Sequence, residues 1–249
     1  MNSGARRTCI FCGGSGTLTN EHVLPRWLFK ELVPPTADDK TYSVWKDRRV
    51  QEMKGFDLRY RGVCATCNHG WMHDLEAAFR SVMLSAVTGK AIHPGEELTL
   101  DQPAQVVVAT WGLKTWLLLE LALKHVRNGA VESRDLMRYM CERRQPPEQI
   151  QVFISLKESD WGDPARLMTV GIPRPPDDPI AVMALFAIGF LAFYFYVPAI
   201  IDGTAQAAPL EVRGDLSQAL SQIWPLQAST IRWPPLRWLS REAVEGIFL

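Results

Sequence analysis

Cys64-Ala-Thr-Cys67-Asn68-His69-Gly70-Trp71-Met72-His73-Asp74-Leu75-Glu76-Ala77-Ala78-Phe79-Arg80 joins a metal-binding signature to a helical pattern in one unbroken run. The C-x-x-C unit at its start turns two sulfurs toward one point, as a knuckle does around a metal ion. A second unit, Cys9-Ile-Phe-Cys12, lies near the N-terminus. Together the two pairs supply Cys9, Cys12, Cys64 and Cys67, four thiolates for a tetrahedral, closed and therefore structural Zn²⁺ site. In the helical pattern, Trp71, Leu75, Ala78 and Val82 fall at i, i+4, i+7 and i+11, which predicts the core-facing stripe. His69, His73, Glu76 and Arg80 share a second face.

The rest of the composition fits this picture. The chain has 249 residues, 27 Lys or Arg balanced by 27 Asp or Glu, and 47% apolar residues. That is enough to bury a sizeable core, and it excludes a disordered tail or a collagen-like fibre. It also excludes a chain that announces nucleic-acid binding by net charge alone. The charge is nevertheless segregated. Residues 1–90 carry 13 Lys or Arg against 9 Asp or Glu, and 91–249 carry 14 against 18. Residues 1–8 are polar and no apolar segment follows them, so no secretory signal is expected and the cytoplasm is the expected compartment. In a reducing compartment paired C-x-x-C units point to metal rather than to disulfides. The fifth cysteine, Cys141, falls on a helical pattern and is expected to be a small buried hydrophobe.

The predicted fold class is α+β. A zinc-supported module over residues 1–90 precedes a larger α+β domain over 91–249, joined by a connector at 91–100 containing Pro94-Gly95. Gln105 to Val126 reads as a helix buried on most sides, interrupted by Lys114 and Glu120 and stopped at Asn128-Gly129. Glu132 to Arg144 reads as a second helix ended by Pro146-Pro147. Strands are predicted at 149–156 and 167–172, followed by a proline-rich turn at 173–179. From Pro179 to Ile201 no residue is charged. Aromatic and β-branched content, a glycine at 189 and acidic flanks make this run two buried strands rather than a membrane span. The tail, with Trp224-Pro225, Trp233-Pro234-Pro235 and Trp238, reads as aromatic packing stitched by prolines.

The chemistry concentrates in the first third of the chain. Thr19-Asn20-Glu21-His22-Val23-Leu24-Pro25 follows the first knuckle, and Asn68 follows directly on Cys67. Each of these residues also has an ordinary reading. Asn68 is a good helix N-cap, His22 can be a packing or hydrogen-bonding residue beside the metal, and Glu21 can be a surface carboxylate. His73 and Glu76 are second-choice metal or phosphate contacts, with a solvated helix face as the ordinary alternative. Between the knuckles, strand-like alternation over 42–63 carries Lys46, Arg48, Arg49, Lys54, Arg59 and Arg61 with Tyr42, Trp45 and Tyr60 interleaved. Such a surface suits phosphate contact with stacking aromatics, and equally a solvated strand face.

Taken together, Cys9-x-x-Cys12, Glu21-His22-Val23-Leu24-Pro25 and Cys64-x-x-Cys67-Asn68 resemble the HNH endonucleases, built around a ββα-metal element of treble-clef-like form. The resemblance covers roughly residues 5–80. It departs from the family pattern at the middle asparagine, for no Asn stands between Val23 and Cys67. The resemblance implies His22 as general base, Glu21 and Asn68 as holders of a catalytic divalent metal such as Mg²⁺, the four cysteines around structural Zn²⁺, and DNA as partner. No small-molecule cofactor is expected. A neutral imidazole, with a pKa near ~6.5, accepts a proton from water at neutral pH. A hard cation held by few protein oxygens relieves charge on the phosphate and the leaving oxygen. The competing expectation is a zinc-knuckle module that binds nucleic acid or protein without cutting.

Overall fold

In the computed structural model the described residues are 8–32, 41–46, 49–54, 58–90, 97–123, 133–157, 165–172, 181–201, 204–205 and 207–235. Strand β1 (Leu18–His22) leads through helix α1 (Arg26–Leu32) to the hairpin strands β2 (Thr41–Lys46) and β3 (Arg49–Lys54), then to β4 (Arg59–Cys64). A short helix α2 (Ala65–Cys67) and a wide turn of π-helix over Asn68–Met72 run into α3 (His73–Thr88). β5 (Leu98–Asp101), the long α4 (Gln102–Leu123) and α5 (Ser133–Arg143) follow. Next come β6 (Gln151–Leu156), β7 (Ala165–Ile172), β8 (Ala181–Ile188), β9 (Leu191–Pro198), β10 (Ile200–Ile201) and β11 (Thr204–Ala205). Helix α6 (Leu216–Ala219), β12 (Ser221–Trp224) and β13 (Thr230–Trp233) end the described chain. The molecule is mixed helix and strand, as the sequence predicts.

The scaffold is an antiparallel five-stranded sheet in the order β12-β6-β9-β8-β7. Every described residue of β6 and β9 is buried, and the reason is that both sheet faces are covered. Phe193, Phe195 and Val197 of β9 join the main core, whereas Ala192 and Tyr194 alternate onto the other face. There they meet Leu210, Val212, Leu216 and Leu220. The uncharged run is thus the β8–β9 hairpin turning at Gly189, whose φ is +56°. A Cβ at Gly189 would stand 2.0 Å from the Val87 carbonyl oxygen, so the turn needs glycine for close approach as well as for its backbone angle. Among the described residues no helix is long and apolar enough to cross a membrane.

Helix α4 lies on the inner face of this sheet and α3 packs on α4. Phe79 of α3 stacks on Trp111 of α4 with ring centroids 3.7 Å apart and planes 6° apart. Trp111 in turn contacts Phe186 and Phe193 of the sheet at 6.2 and 6.0 Å. The main core is one contiguous cluster that holds Cys64, Cys67, Met72 and Phe79 together with Trp111, Phe186 and Trp233. Apolar residues on both sides of position 90 therefore share it.

Three expectations change. The core stripe of α3 is Met72, Phe79, Met83, Ala86 and Val87, not Trp71, Leu75, Ala78 and Val82, which are only half-buried. The two rows lie side by side on one regular helix, and it is the row of Phe79 and Met83 that faces α4, where Phe79 stacks on Trp111. Helix α4 begins at Gln102 rather than Gln105, with the Asp101 side chain accepting from the Ala104 N–H at 2.9 Å. Trp224 and Trp233 are not in irregular packing but end strands β12 and β13, each followed by a cis Trp-Pro bond. The predicted stop at 128–129, the Pro94-Gly95 connector, the 173–179 turn and Trp238 lie outside the described residues.

Candidate metal centre and the adjoining acid–amide cluster

The first knuckle forms because Gly13 takes a positive φ of 72°, letting its N–H reach back to the Cys9 carbonyl at 2.9 Å. The Cys9 N–H closes the loop on Gly14 O at 2.9 Å, and the Gly14 N–H points at Cys12 Sγ at 3.4 Å. The second knuckle is carried by β4 and α2. Backbone bonds from Ile10 to Gly62 at 2.9 Å and from Ala65 to Thr17 at 3.0 Å lay the two knuckles together. The Cys64 N–H then donates to Cys9 Sγ at 3.3 Å.

The result is a cluster of the four sulfurs of Cys9, Cys12, Cys64 and Cys67, all within 4.8 Å of one another. A metal ion with four sulfurs at about 2.3 Å needs sulfur–sulfur edges of roughly 3.8 Å. Cys12 Sγ and Cys64 Sγ are 3.7 Å apart, so the donor set fits such an ion. The electrostatics also suit a cation. Burial pushes the Cys9 thiol up, but N–H groups of Cys12, Cys64 and Phe11 more than offset it, and its pKa falls to about 7. Burial raises Cys64 and Cys67, and neighbouring thiols oppose their ionisation further. Four thiols this close favour their charged forms together only when a cation shares them.

Cys141 is buried as expected, and its place was not legible from its isolation in sequence. Its Sγ lies 3.9 Å from Cys67 Sγ, on the α5 side of the cluster. Arg144, at the end of α5, donates from Nη1 to Cys141 Sγ at 3.8 Å and sets its guanidinium 4.9 Å from the Trp71 ring. Trp71 meets Phe11 edge-on at 5.3 Å. The cluster is thereby wedged between its own knuckles and a helix from the second half of the chain.

Beside this cluster β1 and β4 pair antiparallel, with a register shift between Thr19 and Glu21. Glu21 points inward and is 7% exposed, so it is not a surface carboxylate. Asn68 has helical backbone angles and does not act as an N-cap. Its amide Nδ2 instead donates to Thr19 Oγ1 at 2.9 Å, while that hydroxyl donates to Val63 O at 2.9 Å. The Asn68 side chain also favours the charged form of the Glu21 carboxylate. Burial, followed by the Glu76 charge, raises the Glu21 pKa to about 7 against the opposing pull of Lys114 and Asn68.

Glu76 is not on a solvated helix face, since it lies within the inner stripe of α3 and its side chain is only 20% exposed. Its Oε1 accepts from Lys114 Nζ at 2.9 Å. Lys114 is the residue that sequence reasoning missed. A lone lysine in an apolar helix reads as an interruption, and only the packing of α3 on α4 shows its partner.

The remaining predicted residues lie around this core. His22 is the next residue along β1 from Glu21, half-buried, and its Nε2 accepts from Arg26 Nε at 3.3 Å. Glu76 thus pairs with Lys114 and Asn68 with Thr19, whereas the hydrogen bond described for His22 goes to Arg26. His69 and His73 are exposed at the start of the helix. Arg59 and Arg61 are exposed on one face of β4, with Arg59 opposite His22 in register. Lys46 and Arg49 end the β2–β3 hairpin strands, but their side chains, and Arg48 entirely, lie outside the described residues. Comparison with family models, with curated proteins and with solved structures finds no match to this chain.

Proposed function

We propose that this chain is a metal-dependent endonuclease of the HNH type, acting in the cytoplasm on DNA, with a ββα element of treble-clef-like form pinned by structural zinc. One observation carries this reading: Asn68, at the start of the helix that Cys67 opens, hydrogen-bonds Thr19 of β1, the strand that carries Glu21 and His22. An acid and an amide oxygen beside a histidine are the groups that phosphodiester hydrolysis requires.

In this reading His22 accepts the proton of the attacking water. Arg26 Nε donates to His22 Nε2, so Arg26 would release that nitrogen before it takes the proton of the water. Glu21 and the Asn68 carbonyl oxygen would hold a divalent cation such as Mg²⁺, which when bound offsets charge on the phosphate and on the leaving oxygen. Thr19 holds the Asn68 amide by its nitrogen, which leaves the carbonyl oxygen outside that bond. Arg59 and Arg61, two residues apart on one face of β4, would meet the flanking phosphates.

The test is nicking of supercoiled plasmid in Mg²⁺ or Mn²⁺, with EDTA and His22→Ala as controls. Nicking that requires the metal and disappears in His22→Ala supports the nuclease. A second reading rests on the exposed Arg59–Arg61 pair, which serves a nucleic-acid-binding module without any cleavage. Plasmid retarded equally by wild type and His22→Ala, and left intact by both, selects that module.

A further inference from the structure

The segment His22-Val23-Leu24-Pro25-Arg26 sets a histidine and an arginine on either side of a buried apolar pair. The Val23 N–H donates to Leu58 O at 2.9 Å, so the chain after His22 is held. Leu28 is buried too, and its N–H donates to Pro25 O at 3.0 Å, which fixes the start of α1. Arg26 is the first residue of that helix and is exposed. Its backbone is therefore anchored while its side chain stands in solvent. The Nε of that side chain donates to His22 Nε2 at 3.3 Å, well beyond the roughly 2.7–2.9 Å of a guanidinium on an anion. A guanidinium keeps its proton and offers a planar fork of donors. Among the described residues Arg26 makes no ion pair, so this fork meets a ring nitrogen where its geometry suits a carboxylate or a phosphate. A second guanidinium approaches from the other side. Arg59 is the register partner of His22 across β1 and β4, which brings the two side chains to one face, and Arg61 follows on that face. His22 thus stands between two arginines from different elements.

We propose that Arg26 is a phosphate-binding residue that gates His22: it caps Nε2 in the free protein and leaves it for the phosphate of a bound phosphodiester. The inference rests on the nuclease reading and adds the regulation of that same site. The exchange runs toward the phosphate because a charge-assisted, forked contact is about twice as strong as one long bond to a neutral ring nitrogen. Arg59 supports the same anion from across the strand pair. The freed nitrogen then takes one proton of the water that attacks phosphorus. The ester bond to the leaving oxygen breaks, its electron pair stays on that oxygen, and the oxygen takes a proton from solvent. With no phosphate bound, Arg26 returns to Nε2 and the base is covered.

The experiment titrates full-length, zinc-loaded protein with dimethyl phosphate and follows the side-chain nitrogens of Arg26 and His22 by NMR. Both signals should move along one saturation curve with a common dissociation constant. Arg26→Ala should weaken dimethyl phosphate binding by about tenfold, and Arg26→Lys, which keeps the charge without the fork, by about threefold. In plasmid nicking with Mn²⁺, Arg26→Ala should lose about 10²-fold in rate. Because Arg26 is exposed, these variants should fold as wild type does. An arginine with only a structural role would move the thermal midpoint and leave dimethyl phosphate affinity unchanged. Equal affinity in wild type and Arg26→Ala therefore overturns the proposal, as does an Arg26 signal that moves while His22 Nε2 stays where it is. Either result, beside nicking that still requires His22, refutes this inference alone. Wild type that never nicks plasmid refutes the nuclease reading, and the dimethyl phosphate titration then decides the Arg26 exchange by itself.

Discussion

Cys12 and Cys64 hold their sulfurs 3.7 Å apart although 52 positions separate them in the chain. No disulfide joins them, and the segment between includes the paired strands β2 and β3 and a helix. Closing so long a loop costs entropy that the few backbone bonds of the knuckles do not offset alone. An ion held by the four sulfurs would supply the difference, since a structural zinc site contributes about 10–16 kcal/mol, comparable with the whole net stability of a domain. Purified protein should therefore carry about one zinc per chain by elemental analysis. Cys64→Ser should lose the ion, together with the cooperative thermal transition. Folded, zinc-free wild type would refute the structural role.

Cys141 is the test of which sulfurs belong to that site. It touches Cys67 at 3.9 Å but is absent from the group of four that share a centre. Its sulfur also meets Arg144 Nη1 at 3.8 Å. Cys141→Ala should retain one zinc per chain and cost roughly 1 kcal/mol in chemical denaturation, the expense of a small buried group. Loss of zinc in this variant would make Cys141 a ligand and displace one of the four.

Gly112 allows α4 to lie against the sheet. A Cβ built there would stand 2.6 Å from the ring of Phe193, which is itself locked in a parallel stack with Phe195 and Phe186. In an isolated helix Gly→Ala gains about 1 kcal/mol. Here overpacking costs typically 1–3 kcal/mol, because the ring has no free volume to move into. Gly112→Ala should lower the midpoint of thermal unfolding. A raised midpoint would show that α4 stands off the sheet.

Much of this architecture is written locally and much is not. The β8–β9 hairpin, α5 and the body of α4 were legible because each is a long run of one periodicity with its own stop signals. So were the two knuckles, whose spacing has few other uses. β12 and β13 were not, because four residues give no usable period. β13 also gains its identity from β5, its partner from the far side of α4. The inner stripe of α3 was missed by one residue because Trp71, Leu75, Ala78 and Val82 form one apolar row at helical spacing and Met72, Phe79 and Met83 lie on the next, and only packing on α4 decides between them. The same slip hid Glu76. Placed on the outer face it is a solvated acid, and on the inner face it meets Lys114. An ion pair between two helices leaves no trace in either helix alone.

Glu21 gives the folded protein a pH dependence of known sign. Burial, and the nearby Glu76 charge after it, raise its pKa from 4.5 to about 7. Between those two values the folded state keeps a proton that the unfolded state has lost. Stability therefore falls as pH rises through that window and is fully reduced above about 7. The size is of the order of 3 kcal/mol. Glu21→Gln keeps the shape and a hydrogen bond with Asn68 but cannot ionise. Without added divalent cations, the variant should match wild type near pH 4.5 and exceed it by that amount at pH 8 in urea denaturation. Adding Mg²⁺ at pH 8 should raise the wild-type midpoint and leave Glu21→Gln where it is, since only the carboxylate attracts the ion. Parallel pH profiles for the two proteins would mean that Glu21 is solvated in the folded state, and the acid–amide cluster would lose its buried anion.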